Sequence, residues 1–413
     1  MKLLHLSDLH FGKMLHGVSL IENGDQRDWV EKLLPLVKRH QPDAVVIAGD
    51  VYDRQSPSGG AMQLLSYMVT GITELGIPVL IAAGNHDSGE RLSCFRDILA
   101  RQNVHISGIL QKELTHVTLT DEYGPVTVWL LPYTFPAAVT HLLGDDSIRD
   151  YDTAVRRILA QQNIDFSQRN VMVAHQNVTK GGVEGLRGGS ESMVGGVGQV
   201  DYTAFDGFDY VALGHIHAAY AVGRENVRYA GSPLCYHFDE IRQEKKGPLL
   251  VTLGEKGAPV SIERLTIPPL HHMRELRGTY EEVMAAASRA GTGEYVKVVL
   301  TDRAITPEIN SYLDALFQSK NSVLMERISL FQRFTGESRQ RERHELEEKS
   351  VEELFADFYT ERAKVAPDEE DLGLLHFAAE LLRNSDGGED GKQVAPSLPE
   401  KVLEYLTKEG NEP

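Results

Sequence analysis

Cysteine is almost missing from this chain: its 413 residues include only Cys94 and Cys235, with no CxxC pair. That excludes a thiolate metal site and a disulfide framework, and reduced thiols suit a cytoplasmic setting. Long apolar runs are missing too, since none approaches the ~20 residues that span a bilayer. The opening Met1-Lys2-Leu3-Leu4-His5-Leu6 turns polar at Ser7-Asp8, too soon for a secretory core. No membrane association and a cytoplasmic location are expected. Basic residues are outnumbered, 42 Lys and Arg against 60 Asp and Glu, for a net charge of −18. A field of that sign opposes coating of nucleic acid by the whole surface. The deficit is uneven, however: residues 351–413 carry −10 and the first 350 carry −8. A local groove, or a partner's surface, can still hold phosphates. The two common phosphate-cradling fingerprints are absent, because the glycine-rich stretch 180–200 opens no helix with GK[ST] or GxGxxG. It reads as a long loop, either a rim over a substrate groove or a plain connection.

What is present is an ordinary globular balance, 41% hydrophobic and 25% charged, in a chain long enough for two or three domains. Apolar runs at Val45–Ala48, Pro78–Ala83, Val171–Ala174 and Tyr210–Leu213 read as strands buried on both faces, as in a parallel sheet covered by helices. Trp29, Val30, Leu33, Leu34 and Val37 recur at helical spacing and predict a crossover helix over 26–40, between the opening strand and the next. Met62, Leu65, Val69 and Ile72 mark a second helix, whose methionines are read as packing. Further helices are expected at 91–99 and 152–162. A hairpin is expected at 113–132, turning at Asp121-Glu122-Tyr123-Gly124. It should begin a second sheet packed on the first, with strands near 228–230, 249–253 and 260–265 completing it.

The strand ends carry the chemistry. Leu4, Leu6, Asp8 and His10 share parity, so two apolar anchors are followed by two polar side chains on one side. His5 has the opposite parity and is expected to pack within the sheet. Asp50 follows Gly49, Asn85 and His86 follow Gly84, His175 closes its strand, and His215 and His217 follow Gly214. In open α/β sheets that edge is where ligands bind. Mixed Asp, Asn and His donors without cysteine suit manganese, iron or zinc, and manganese best tolerates the oxygen-rich half. The candidates are too many for one ion, and two metals bridged by a carboxylate accommodate them. The use of such a pair is phosphoryl transfer, in which an unligated histidine supplies the leaving group's proton. His86 is the candidate.

Asp8-x-His10, Gly49-Asp50, Gly84-Asn85-His86-Asp87, His175 and Gly214-His215-x-His217 resemble the ordered signature of the calcineurin-like metallophosphoesterases. The flanking words Gly49-Asp50-Val51-Tyr52-Asp53-Arg54, Gly84 to Leu92, Tyr210 to His217 and Tyr229-Ala230-Gly231-Ser232-Pro233-Leu234 resemble the SbcD family of bacterial double-strand-break-repair nuclease subunits. The resemblance covers about the first 270 residues. It implies an α/β fold, a four-layer α/β/β/α sandwich, followed by a small α+β capping domain and C-terminal helices. It also implies that Asp8, His10, Asp50 and His217 hold one Mn2+ and that Asp50, Asn85, His175 and His215 hold the other, with His86 near the scissile phosphate. Asp53 joins the catalytic candidates, at a position where archaeal and eukaryotic relatives often carry histidine, and Gly89 stands where proline is common. The implied activity is two-metal hydrolysis of DNA, as 3′-to-5′ exonuclease on duplex ends and endonuclease on hairpins or single strands. ATP enters only through a coiled-coil ATPase partner, SbcC. A homodimer, through helices around 62–75 and 91–99, is implied as well. The rivals on the same fold are a small-ester phosphatase or cyclic-nucleotide phosphodiesterase, and a scaffold without catalysis.

After Pro268-Pro269 the composition shifts. Helices at 281–289 and 308–317 with strands at 295–300 and 323–328 predict the capping module over 269–335. Residues 336–350 form a charged linker. Beyond it Val351, Leu354, Phe355, Phe358 and Tyr359, then Leu374, Leu375, Ala378, Leu381 and Leu382, form two amphipathic stripes. Such stripes are more often core than partner surface, but their place after a linker shifts them toward a partner, and the resemblance implies that this partner is the coiled-coil ATPase.

Overall fold

The structure is a computed structural model that describes residues 1–182, 198–242 and 245–331. The expected linker, the helices beyond residue 350 and most of the glycine-rich stretch lie outside the described residues. Two six-stranded sheets stack face to face. The first runs in the order Ser261–Arg264, Leu249–Thr252, Lys2–Leu6, Ala44–Ala48, Val79–Ala82, Val104–Ser107. The second runs Ala221–Val222, Arg224–Tyr229, Tyr210–Gly214, Arg169–His175, Gly124–Leu131, Thr115–Asp121.

Alternating side chains make the layers. On the strand Ala44–Ala48, Val45 and Ile47 face the helices Asp25–His40 and Gly59–Thr73 through Trp29, Val30, Leu33, Leu64 and Met68. Ala44, Val46 and Ala48 face the other way and meet Val128, Leu130, Val171, Val173 and Ala212 of the second sheet. On the far side of that sheet, Met172, Ala174, Val211 and Leu213 pack under the helices Pro136–Leu143 and Tyr151–Ala160. The result is the α/β/β/α sandwich, with strands that read as continuous apolar runs because both faces are covered. Each fully buried Val, Leu or Ile contributes about 1.5–3 kcal/mol.

Two expectations are corrected. The strands Leu249–Thr252 and Ser261–Arg264 join the first sheet: Leu249–Thr252 pairs antiparallel with Lys2–Leu6, with His5 opposite Leu249 and Lys2 opposite Thr252, and Ser261–Arg264 pairs antiparallel with Leu249–Thr252. One edge of Lys2–Leu6 is taken by Ala44–Ala48, and its other edge is closed by the returning chain. Of the three expected strands only Arg224–Tyr229 completes the second sheet. The second helix turns a different stripe inward: Ala61, Leu64, Met68 and Ile72 are buried while Met62 is 50% exposed. Both stripes have helical spacing, so spacing alone does not choose between them.

Beyond the sandwich, Met273–Gly278, Tyr295–Leu300 and Val323–Ser329 form a three-stranded sheet, covered by the helices Tyr280–Arg289 and Pro307–Ser319. Its strands are parallel throughout, a βαβαβ order more specific than the α+β expectation. It meets the sandwich through Tyr295, whose hydroxyl donates to Asp25 at 2.5 Å while His271 Nδ1 sits 2.8 Å from the same carboxylate.

His5 lies between the sheets as its parity requires, fully buried, with Nδ1 3.0 Å from the Tyr210 hydroxyl and Nε2 3.2 Å from the Leu213 carbonyl. Burial lowers its pKa to about 3, so the ring is neutral. Nε2–H then donates to the carbonyl and Nδ1 accepts from the tyrosine. Tyr210→Phe is expected to leave Nδ1 without a donor and to cost about 1–3 kcal/mol in urea denaturation. A loss below a few tenths of a kcal/mol would show that this bond contributes nothing.

Candidate metal centre

The parallel strands of the two sheets deliver their C-terminal ends to one place. Asp8 and His10 follow Lys2–Leu6, Asp50 follows Ala44–Ala48, Asn85 and His86 follow Val79–Ala82, His175 ends Arg169–His175, and His215 and His217 follow Tyr210–Gly214. All seven candidate ligands and His86 therefore meet at one edge of the stacked sheets. Close approach is what the glycines before them allow. A β-carbon on Gly84 would fall 2.1 Å from Asp50 Oδ1, and one on Gly214 would fall 1.7 Å from the Ala48 carbonyl oxygen. The turns are tight enough that Asp8, His10, Asp50 and His215 take positive φ, of 52°, 42°, 49° and 106°. Such backbone is costly for non-glycine residues and concentrates at functional sites.

Two sets of donors share Asp50. In one, His10 Nε2 lies 3.5 Å from Asp50 Oδ2 and 3.2 Å from His217 Nε2, and ligand atoms of Asp8, His10 and His217 fall within 4.8 Å of one another. In the other, His175 Nε2 lies 3.3 Å from the same Asp50 Oδ2 and 3.0 Å from Asn85 Oδ1, on which His215 Nδ1 also converges at 3.2 Å. Asp50 Oδ1 is engaged elsewhere, accepting from the His86 amide at 2.9 Å. A single oxygen, Oδ2, thus faces both sets. A third group, His10, Asp53 and His86, also has its ligand atoms within 4.8 Å. His86 Nδ1 is 3.0 Å from the Asp53 carbonyl, and its ring is reached by solvent.

The electrostatics call for cations. Burial raises the Asp8 pKa to about 6. Burial also opposes ionisation of Asp50, but His175 beside it holds that carboxyl far below the usual range. Burial by itself would lower His175, yet the Asp50 and Asp8 carboxylates push it up to about 9. Burial lowers His10 to about 4 and His215 to about 3, leaving both neutral at pH 7. His215 Nε2 has no hydrogen-bond partner among the described residues, and His10 Nδ1 has the Asp53 carboxylate 3.4 Å away. Two buried carboxylates, an amide oxygen and four imidazoles, with no sulfur, are donors that fit a pair of divalent ions.

Several supporting residues escape a sequence reading. The Asp87 carboxylate accepts from the amides of Gly84, Val51 and Tyr52 at 2.9, 3.1 and 2.9 Å, tying two of the strand ends together. Its only signal was its place in Gly84-Asn85-His86-Asp87. Lys13 donates to Asp53 Oδ1 at 2.8 Å, and with the His10 contact it draws the Asp53 pKa down to about 2 against the effect of burial. Glu240 and Lys246 lie behind His217, and nothing in their spacing marks them.

The fold and this edge define a phosphoesterase that works with divalent metal ions. The calcineurin-like phosphoesterase profile matches residues 1–219, and the chain belongs to that family. A second profile, described as a type 5 capsule protein repressor C-terminal domain, matches residues 269–363. The SbcD subunit of the nuclease SbcCD from Staphylococcus saprophyticus is 32% identical over 285 residues, 69% of this chain and 73% of that protein. The corresponding SbcD of Staphylococcus epidermidis is 30% identical over 285 residues, 69% and 74% of the two chains. Within the phosphoesterases, the chain belongs with the SbcD subunits of SbcCD nucleases. A solved structure of TT1561 from Thermus thermophilus overlays with a TM-score of 0.38 at 9% identity, over 64% of this chain and 98% of that one.

Because a ligating imidazole must be unprotonated, metal entry at pH 7.5 is expected to release about one proton, from His175. Calorimetry in buffers of different ionisation enthalpy reads that number directly. Affinity should rise about tenfold per pH unit between pH 6.5 and 9 and fall more steeply below pH 6, where Asp8 also takes a proton. In the metal-free protein the sign is opposite. The raised His175 pKa contributes stability that is present below about 6.5 and lost as pH rises through about 9. Metal binding that does not vary with pH from 6 to 9 would contradict these assignments.

Proposed function

We propose that the chain is the nuclease subunit of an SbcCD-type complex, hydrolysing DNA phosphodiesters with two Mn2+ ions. The observation that carries the reading is Asp50 Oδ2, facing His10 at 3.5 Å and His175 at 3.3 Å, one nitrogen from each donor set. In this reading Asp8, His10, Asp50 and His217 hold one ion, and Asp50, Asn85, His175 and His215 hold the other. The ions, when bound, supply Lewis acidity and neutralise charge at the phosphoryl group.

The chain's own residues do the rest. Asp50 fixes the spacing of the two donor sets, and its Oδ1 holds the His86 backbone in place through the 2.9 Å amide bond. The Asp53 carbonyl takes the Nδ1 side of His86, which leaves Nε2 to meet substrate. As a water oxygen bonds to phosphorus and loses its proton to solvent, the P–O bond breaks, and His86, acting in its doubly protonated form with Nδ1–H on the Asp53 carbonyl, gives its Nε2 proton to the departing alkoxide. The Asp53 carboxylate, drawn to Lys13 and His10, sets the charge beside that histidine.

In domain terms, residues 1–268 are the nuclease domain, 269–335 a DNA-holding cap, 336–350 a connection and 351–413 the segment that binds the ATPase SbcC, through which ATP acts. DNA polarity is 3′-to-5′ on duplex ends, with endonuclease action on hairpins. The working unit is a homodimer within a heterotetramer, cytoplasmic and nucleoid-associated when on DNA. Met62 and Tyr67 are exposed on the helix Gly59–Thr73, and Phe95 and Ile98 are exposed where the helix expected over 91–99 is instead two short helices, Gly89–Leu92 and Arg96–Ala100, broken by a turn at Phe95. These apolar groups are in keeping with the dimer surface.

Manganese-dependent cleavage of end-labelled duplex and hairpin DNA, compared with turnover of small phosphoesters, tests the reading. Turnover of small esters alone would replace it with a phosphatase. His86→Ala is expected to reduce cleavage at least 100-fold, in the range general acid catalysis supplies, with two ions still bound. A drop in metal content would instead make His86 a ligand, as its grouping with His10 and Asp53 allows. Asp50→Asn should weaken both ions and His10→Ala mainly one, read by Mn2+ titration. Equal loss in the two variants would remove the bridging role.

A further inference from the structure

Behind His217 lies a set of polar groups that the reaction as described does not use. Glu240, on the short helical turn Phe238–Arg242, is 0% exposed. Its Oε1 sits 3.3 Å from His217 Nδ1, and its Oε2 sits 2.7 Å from Lys246 Nζ and 3.3 Å from Ser232 Oγ. Lys246 also donates to the His217 carbonyl at 3.0 Å and to Ser232 Oγ at 2.7 Å, and the Ser232 amide donates to the same carbonyl at 3.1 Å. Backbone and ring of one residue are thus gripped from behind, while the ring's other nitrogen points at His10 Nε2, 3.2 Å away.

An imidazole presents a lone pair from one nitrogen only when the other holds the proton, and a carboxylate against Nδ1 keeps the proton there. We infer that Glu240 is a positioning residue for the metal centre, fixing His217 with its proton on Nδ1 so that the Nε2 lone pair faces the first ion. Lys246 and Ser232 hold the carboxylate in that pose. The other candidate histidines face other groups: His175 Nδ1 uses the Ala48 carbonyl at 2.9 Å, and His10 Nδ1 faces a different carboxylate, Asp53 Oδ1, at 3.4 Å. The effect of Glu240 should therefore fall on one ion rather than both. The inference rests on the two-ion reading of the site.

Glu240→Gln keeps the shape and reverses the polarity that matters. Lys246 and Ser232 draw the amide oxygen to the Oε2 position, so the NH2 faces His217 Nδ1, which must then accept. The imidazole proton moves to Nε2 and opposes the ion. Two measurements on the full chain test this. In Mn2+ titrations the wild type should bind two ions, and Glu240→Gln should weaken one of them 10–100-fold, the range for loss of a supporting carboxylate, with the other unchanged within about twofold. In long-range nitrogen–proton spectra of the metal-free protein labelled at histidine, the His217 proton should lie on Nδ1 in the wild type and on Nε2 in the variant. Glu240→Asp, which keeps the charge and withdraws it, should retain the Nδ1 proton with a smaller loss of affinity. It also serves if Glu240→Gln does not fold. Unchanged affinity for both ions, equal loss of both, or an Nε2 proton in the wild type would overturn the inference. Fewer than two ions in the wild type would instead overturn the two-ion reading.

Discussion

Two buried carboxylates that face imidazoles from both sheets are the constraint on which the rest depends. Asp8 and Asp50 are 0% and 3% exposed, out of reach of the water that would solvate them. Uncompensated negative charge of that kind is expensive. In the metal-free chain it is met in part by a proton shared toward His175 and by amide donors such as those of His86 and His215. Divalent ions meet it more fully. The positive φ of Asp8, His10, Asp50 and His215 belongs to the same constraint, because only sharply turned strand ends bring those side chains to one point. The surrounding sandwich, with its continuous apolar layers, offsets the strain.

The architecture also explains why the site is fixed from behind. Each donor arrives on a loop just past a strand, and loops of that kind need anchors. Asp87 anchors the Asp50 and Asn85 ends to each other. Gln26, on the first helix, donates to the His10 carbonyl at 2.7 Å, and Tyr236 donates to the Leu9 carbonyl at 2.5 Å. Glu240, Lys246 and Ser232 hold His217. The short turn that carries Glu240 also packs against the second module, where Lys297 Nζ lies 5.7 Å from the centre of the Phe238 ring. Support for one candidate ligand and the seam between the two modules are therefore the same piece of structure.

The legibility of the sequence divided along physical lines. Strands buried on both faces announce themselves as apolar runs, so the core strands and most helices were readable. Glycine before Asp50, Asn85 and His215, the shared parity of Asp8 and His10, and His175 at the end of an apolar run exposed the candidates Asp8, His10, Asp50, Asn85, His86, His175, His215 and His217, all of which meet in the structure. Sheet membership was not readable. Leu249–Thr252 has the apolar pattern of a strand in either sheet, and only the free edge of Lys2–Leu6 decided its place. The inward face of Gly59–Thr73 was ambiguous for a similar reason, since two adjacent stripes were both apolar enough to bury.

The sequence by itself determined the chemical class of the centre. Donor type follows from residue type, and the order of glycine-capped strand ends is linear information. Only tertiary structure decided how those donors are shared. That one Asp50 oxygen faces both sets, that its other oxygen is spent on the His86 amide, and that Glu240 stands behind His217 depend on distances between residues far apart in the chain. Hydrogen bonds of 3 Å have no periodicity along a sequence. They exist because two sheets, packed through their alternating apolar faces, bring separate strand ends to one edge.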